Sequence, residues 1–167
     1  MDKKYEFLPH TADAKFRAYG RTLEEAVANA ALAMVSLMWE PEKVELKVRE
    51  EIEIKASSFP SLLVRFLTEI LYLFEVRKFL LGRVEKIELL CSEKMVLEME
   101  QNDNREDNNP VKDETSDTGS YVLKAILAGD RYSEKYEIIS EVKAATYNDF
   151  FLKKGPDGYI LQMVVDM

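Results

Sequence analysis

Cysteine is all but missing: Cys91 stands alone among 167 residues. A single thiol excludes an internal disulfide and any multi-cysteine zinc site. Histidine is as scarce, with His10 the only one, so the paired-histidine helix of a zinc protease cannot form. The six glycines fall in no phosphate-cradling loop, and neither GxSxG nor CxxC occurs, which removes the common nucleotide-binding, hydrolase and redox signatures. A Cys–His nucleophile would have to join Cys91 to His10, and Cys91 closes an apolar strand-like run, a poor setting for a thiolate.

Positive charge is also in deficit. Thirty-one acidic residues outnumber 23 Lys and Arg, a formal net charge of −8. That argues against coating nucleic acid by charge, and no basic groove interleaved with aromatics is visible. It is compatible with cation binding or a basic protein partner. Long uncharged apolar runs are absent too. The most apolar stretch, Phe59 to Leu81, carries Arg65, Glu69, Glu75, Arg77 and Lys78, so it reads as a buried amphipathic helix and not a membrane span. Met1 to Tyr5 is charged with no apolar segment behind it, unlike a secretory signal. A reduced, cytoplasmic setting without membrane association is the expectation.

Apolar residues are plentiful at 47%, enough for a substantial core, and the length suits a single domain over 1–167. Tyr5 to Leu8 and Ala14 to Tyr19 read as strands, the second alternating Phe16 and Ala18 against Lys15 and Arg17. Thr22-Leu23-Glu24-Glu25 is a capping box, and the helix it starts is apolar at Leu23, Ala26, Val27, Ala30, Met34 and Leu37. Val44 to Ala56 reads as one long strand whose apolar row is broken at Glu50, predicting a bulge or bend near Arg49 to Glu51. Ser57 or Ser58 caps a second helix with Pro60 in its first turn, ending near Arg77. Val84 to Leu90 and Met95 to Met99 read as strands joined by a turn at Ser92-Glu93-Lys94.

The stretch 101–120 changes character. From Asp103 to Asp117 six carboxylates face Arg105 and Lys112, a net −4, and Val111 is the single aliphatic residue. It predicts an acidic mobile loop inserted between strands. Its Asn-x-Asn-x-Glu-Asp run, Asn102 to Asp107, does not have EF-hand spacing. Beyond it, Tyr121 to Ala128 is strand, Gly129-Asp130 a turn, and Tyr136 to Ile139, Glu141 to Tyr147 and Phe150 to Lys153 are extended candidates. Gly155-Pro156-Asp157-Gly158 is a turn leading into a last strand, Tyr159 to Val165. The order is not βαβ alternation. It indicates α+β, mainly antiparallel sheet packed with two main helices.

The candidate chemistry lies at the two ends. Asp13 reads either as a turn-forming or strand-capping residue, or as a metal ligand or general base, with His10 close enough in sequence to support it. Asp166 and Met167 read either as a solubilising end or as a chelate of two neighbouring carboxylates. Together with Asp13 they would offer three acidic oxygen groups, which suit Ca²⁺, Mg²⁺ or Mn²⁺ better than zinc. Lys143 is either an exposed strand lysine or a cleft lysine that would need a carboxylate partner.

Several stretches together resemble the archease family: Phe7-Leu8-Pro9-His10-Thr11-Ala12-Asp13, Ala18-Tyr19-Gly20 with Thr22-Leu23-Glu24-Glu25-Ala26, Glu69-Ile70-Leu71-Tyr72-Leu73, Glu141-Val142-Lys143-Ala144-Ala145-Thr146-Tyr147 and Val164-Val165-Asp166-Met167. The resemblance implies a small cytoplasmic α+β protein, one sheet–helix module inserted in another. It implies a non-enzymatic cofactor of the RtcB-type RNA ligase in tRNA splicing, promoting guanylylation and multiple turnover and touching tRNA only indirectly. It further implies a divalent cation, calcium in the family, held by residues corresponding to Asp13, Asp166 and Met167; His10 and Lys143 are candidates for site support on the reading of the residues alone. A second implied role is chaperoning a tRNA cytosine methyltransferase. An autonomous metal-dependent hydrolase is the third reading, resting on the acidic cluster alone. The chain departs from the family pattern at Asn148 and Tyr136, where histidine is usual; neither ionises near neutral pH.

Overall fold

The structure, a computed structural model, describes residues 3–91 and 121–167. The expected strand at Met95 to Met99, the turn before it and the acidic stretch 101–120 lie outside the described residues. Among the described residues, two antiparallel sheets hold two helices. The first sheet has strand order β1-β2-β7-β6, formed by Tyr5–Leu8, Ala14–Gly20, Gly158–Asp166 and Ala144–Gly155. The second has order β3-β5-β4, formed by Val48–Ala56, Tyr121–Arg131 and Phe79–Cys91. Helix α1, Leu23–Ser36, follows β2, and α2, Phe59–Arg77, follows β3. The unit β3-α2-β4-β5 is therefore inserted between α1 and β6, and the expected α+β class of one module within another is what the chain adopts.

Local signals start and stop the helices as the sequence predicts. Thr22 caps α1, its side chain accepting from the Glu25 amide at 3.1 Å. The Glu25 carboxylate reaches back one residue further than a capping box requires, to the Arg21 N–H at 3.2 Å. Ser58 caps α2 by accepting from the Ser61 amide, with Pro60 in the first turn, and Lys78 ends the helix in the left-handed region at φ 58°. The helices fill the space between the sheets. Phe16 and Ala18 of β2 and Leu161, Met163 and Val165 of β7 are fully buried with Val27, Ala30 and Met34 of α1. Leu62, Leu63, Phe66, Leu67 and Ile70 form the buried stripe of α2. Trp39 joins the two halves: its ring packs on Phe74 at 5.0 Å and its indole N–H donates to the Leu81 carbonyl at 2.9 Å.

Four expectations are corrected. The strand expected from Val44 begins only at Val48, because Pro41–Lys43 forms a 3₁₀ turn and the Glu45 N–H is taken by the Tyr136 hydroxyl at 3.1 Å instead of a neighbouring strand. No bulge occurs at Arg49 to Glu51, where β3 pairs with β5 in unbroken register. Glu50 keeps its place on the inward row because Arg77 reaches it at 2.9 Å, leaving the Glu50 side chain 12% exposed. Gly129-Asp130 is not a turn but the interior of β5, where Gly129 is required: a Cβ there would lie 1.9 Å from the Leu80 carbonyl oxygen. The extended candidate Tyr136 to Ile139 is a strap pinned by Tyr136 and by the Ile139 N–H to the Met38 carbonyl at 2.7 Å.

The turn before the last strand forms as expected, and Gly158 in it has φ 139°, with the Gly20 carbonyl oxygen 2.2 Å from where a Cβ would be. Strand β6 is one element with a wide bulge. Thr146 faces Val164 and Phe151 faces Gln162, so residues 147–150 stand opposite Met163 alone.

Candidate functional site

The site is set by the register of β2 on β7. Pairs run from Gly20↔Tyr159 to Ala14↔Val165 without a break. One step beyond the last pair, Asp13 stands opposite Asp166. The core fixes this register: a slip of one residue would turn Phe16, fully buried, to the outside. By strand alternation the two acids share the face of Lys15, Arg17, Gln162 and Val164, away from α1. Asp13 is half-buried, Asp166 exposed and Met167 half-buried against the core. Asp166 is tied on its other flank as well. Ala144 pairs with it, and the Lys143 N–H donates to its carbonyl at 2.7 Å.

Like charges directly opposite on a ladder repel. Accordingly the Asp13 carboxyl is held above its usual range, first by hydrogen bonding to Asp166, then by partial burial and by the Asp166 charge. His10 alone pulls the other way. Lys15, the next residue on this face of β2, does not relieve the pair, because its ammonium is 3.3 Å from Asp149. The neighbouring polar groups are satisfied among themselves. Arg17 donates to the Gln162 side-chain oxygen at 3.0 Å and lies over the Phe151 ring, and Gln162 donates to the Asp149 carbonyl at 2.8 Å.

This donor set fits a hard divalent cation. Two carboxylates are brought within hydrogen-bond reach, where only a proton or a cation removes their repulsion. Among the described residues no group of three His, Cys, Asp or Glu side chains could hold a metal, and Met167 adjoins Asp166 in the chain. His10 is exposed and is near enough to influence Asp13. Lys143 is an exposed residue whose main chain serves the site.

Asn148 and Tyr136 differ in setting. Asn148 is exposed, its N–H donating to the Thr146 hydroxyl at 3.3 Å. Tyr136 is buried and donates to Asp130 at 2.6 Å, away from the acid pair. Sequence reasoning missed Ala12, whose φ is 69°, and Asp149, whose φ is 52°. The Asn148-Asp149 pair carries a signal for the second, since Asp and Asn tolerate the left-handed region. Nothing in an alanine signals the first.

Comparisons with known proteins bear on the whole chain. The model of the Archease protein family (MTH1598/TM1083) matches residues 5–167. The archeases of Methanosarcina acetivorans and Methanosarcina mazei are 39% and 36% identical to it, over 99% of this chain and 97% of each relative. That of Pyrococcus furiosus is 34% identical over 99% of both. The solution structure of Methanobacterium thermoautotrophicum protein 1598 superposes with a TM-score of 0.69 at 27% identity, covering 98% of this chain and 99% of that one. A crystal structure from Thermotoga maritima, described as an archease and possible chaperone, shares the fold with a TM-score of 0.56 at 16% identity over 96% and 94%. Whole-chain identity above one third, the same two-module architecture and the family match together establish that this chain belongs to the archease family.

Proposed function

We propose that this protein is a non-enzymatic, divalent-cation-binding activator of an RtcB-type RNA ligase, acting in the cytoplasm during tRNA splicing. The observation that carries the reading is the meeting of Asp13 and Asp166 at one end of the β2–β7 ladder, with Asp13 raised by its neighbour. In this reading Asp13, Asp166 and the terminal carboxylate of Met167 hold the cation, calcium or else magnesium or manganese. When bound, the cation supplies positive charge at an accessible edge of the fold, where it can meet phosphate oxygens and carboxylates of a partner. The chain itself holds the two acids at fixed positions, through the β2–β7 register and the Lys143 N–H, and leaves Asp166 exposed. Promotion of ligase guanylylation and of multiple turnover is the expected output, with tRNA engaged through the ligase.

The test is ligation of tRNA halves by the cognate ligase, with and without this protein. Asp13→Ala should lose the stimulation while keeping a cooperative unfolding transition, since Asp13 lies outside the core. Full stimulation by that variant would end the reading. Extension of the chain beyond Met167 probes the terminal carboxylate separately: loss of stimulation supports its role, and undiminished stimulation removes it.

A second reading, chaperoning of a tRNA cytosine methyltransferase, draws on exposed apolar residues: Tyr72 and Val76, one turn apart on α2, and Ile138 and Ile139 in the strap. It predicts suppression of methyltransferase aggregation that survives Asp13→Ala. The Thermotoga maritima archease carries the description possible chaperone, which is consistent with it. An autonomous hydrolase remains the least supported reading; turnover of RNA or nucleotides by the purified protein alone would favour it.

A further inference from the structure

Asp13 is delivered to its place by a strained turn. Its N–H donates to the Thr11 carbonyl at 2.8 Å, closing a three-residue loop around Ala12, whose φ is 69°. A turn of this kind with positive φ is rare, and the left-handed region is unfavourable for a residue with a Cβ. Ala12 is exposed, so no core contact of its own demands the shape. The demand comes from both sides. Strand β1 ends at Leu8, paired with Lys15, and β2 starts at Ala14, paired with Val165. The buried Phe16 forbids the ladder to slide. The loop between must therefore close and still present Asp13 in line with Asp166. Strain of this sort persists where surrounding structure over-determines it, and it clusters at binding sites.

We infer that Ala12 is a positioning residue: its left-handed turn sets the Asp13 carboxylate against that of Asp166, whose main chain the Lys143 N–H fixes from the opposite flank. The inference rests on the cation-binding reading above and adds to it the device that pre-orders one of the ligands. The residue touches no ligand itself. Its contribution is conformational, so substitutions should sort by their tolerance of positive φ and not by size or polarity.

The experiment titrates calcium, and manganese where calcium does not bind, calorimetrically into the full chain, wild type, Ala12→Val and Ala12→Gly, and records thermal unfolding of each without metal. Valine is β-branched and poorly tolerates positive φ; at an exposed position it would otherwise be nearly neutral. Ala12→Val should weaken calcium binding by at least about tenfold, as loss of ligand-orienting support does, with a cooperative transition retained. Glycine adopts the turn freely, so Ala12→Gly should bind within about twofold of wild type and unfold no earlier. Wild-type affinity in Ala12→Val overturns the inference, and so does an equal loss in Ala12→Gly, which remains informative even where the valine variant fails to fold. A wild-type chain that takes up neither calcium nor manganese overturns the cation reading and this inference with it. Firm wild-type binding with an indifferent valine variant overturns this inference alone.

Discussion

Replacing Tyr136 with phenylalanine removes one oxygen atom and keeps the buried ring. The hydroxyl donates to the Asp130 carboxylate at 2.6 Å and accepts from the Glu45 N–H at 3.1 Å. A hydrogen bond to a charged group contributes about 1.5–3 kcal/mol net. Glu45 is exposed, and its N–H can turn to water, so that second bond adds little. Asp130 keeps the Arg131 N–H at 2.9 Å and Lys135 at 3.7 Å, and is not left without partners. These points set the expected loss near the middle of the range, about 2 kcal/mol. For a chain of this size that lowers Tm by about 4–8 °C.

The loss should also depend on pH. The Asp130 carboxyl is held below its usual range, first by the Tyr136 hydroxyl, with the Arg131 N–H and the Lys135 and Lys47 charges adding to it against the effect of burial. A depressed carboxyl contributes stability that is complete above its unfolded-state pKa, roughly 3.9, and is lost as pH falls through the lower folded-state value. The gap between wild type and Tyr136→Phe should therefore be full at neutral pH and narrow in acid, once the pH has fallen through the depressed folded-state value. Thermal unfolding followed by circular dichroism at both pH values measures it. A gap under about 1 °C at neutral pH, or one of equal size in acid, would refute the reasoning. A double-mutant cycle with Asp130→Asn isolates the pair.

Three further outcomes are expected. Arg77→Ala should destabilise by about 1–2 kcal/mol because it strands Glu50 on an inward row, whereas Glu50→Leu should be neutral or stabilising, since it leaves only an exposed arginine behind; urea midpoints distinguish the two. Gly129→Ala should cost more than about 3 kcal/mol or prevent folding, because the added carbon would overlap the Leu80 carbonyl and backbone cannot rotate away as a side chain can; expression yield and circular dichroism report it. Asp13→Asn should raise Tm without added metal, by removing a like-charge pair, and should abolish any calcium-dependent rise in Tm that the wild type shows; a calcium-induced shift preserved in the variant would place the cation elsewhere.

Local chemistry was the legible part of the fold. The alternation of β2, the Thr22 and Ser58 caps with Pro60, and the apolar stripes of α1 and α2 are decided within one or two turns of chain. What was not legible was decided at long range. Val44 to Lys47 carries strand alternation, yet Tyr136, far along the chain, takes the Glu45 N–H. Gly129-Asp130 has turn residues, yet the close approach of Leu80 is what requires the glycine. Glu50 looked like an interruption until Arg77 was brought beside it. For the candidate site, residue type leaves Asp13 and Asp166 between a structural and a metal-ligand reading, and the resemblance to the archease family is what sets them together as ligands. Their meeting depends on a register that spans two distant strands, and the strained turn at Ala12 has no sequence signal.

The inserted module has a consequence for the order in which the molecule can be made. Strand β2 lies near the beginning of the chain and its partner β7 near the end, with β3, α2, β4 and β5 all between them. During synthesis β1, β2 and α1 emerge early but have no β7 to pair with. The inserted unit can form its own sheet first, since among the described residues β3, β4 and β5 pair only with one another. The first sheet closes last, and pairing between such remote segments is slow to form. Asp13 and Asp166 are therefore separate carboxylates on every incomplete chain, and the acid pair comes into being only when the final strand docks. A nascent or truncated protein that lacks β7 would carry Asp13 without Asp166, which makes completion of the fold itself the step that creates the pair.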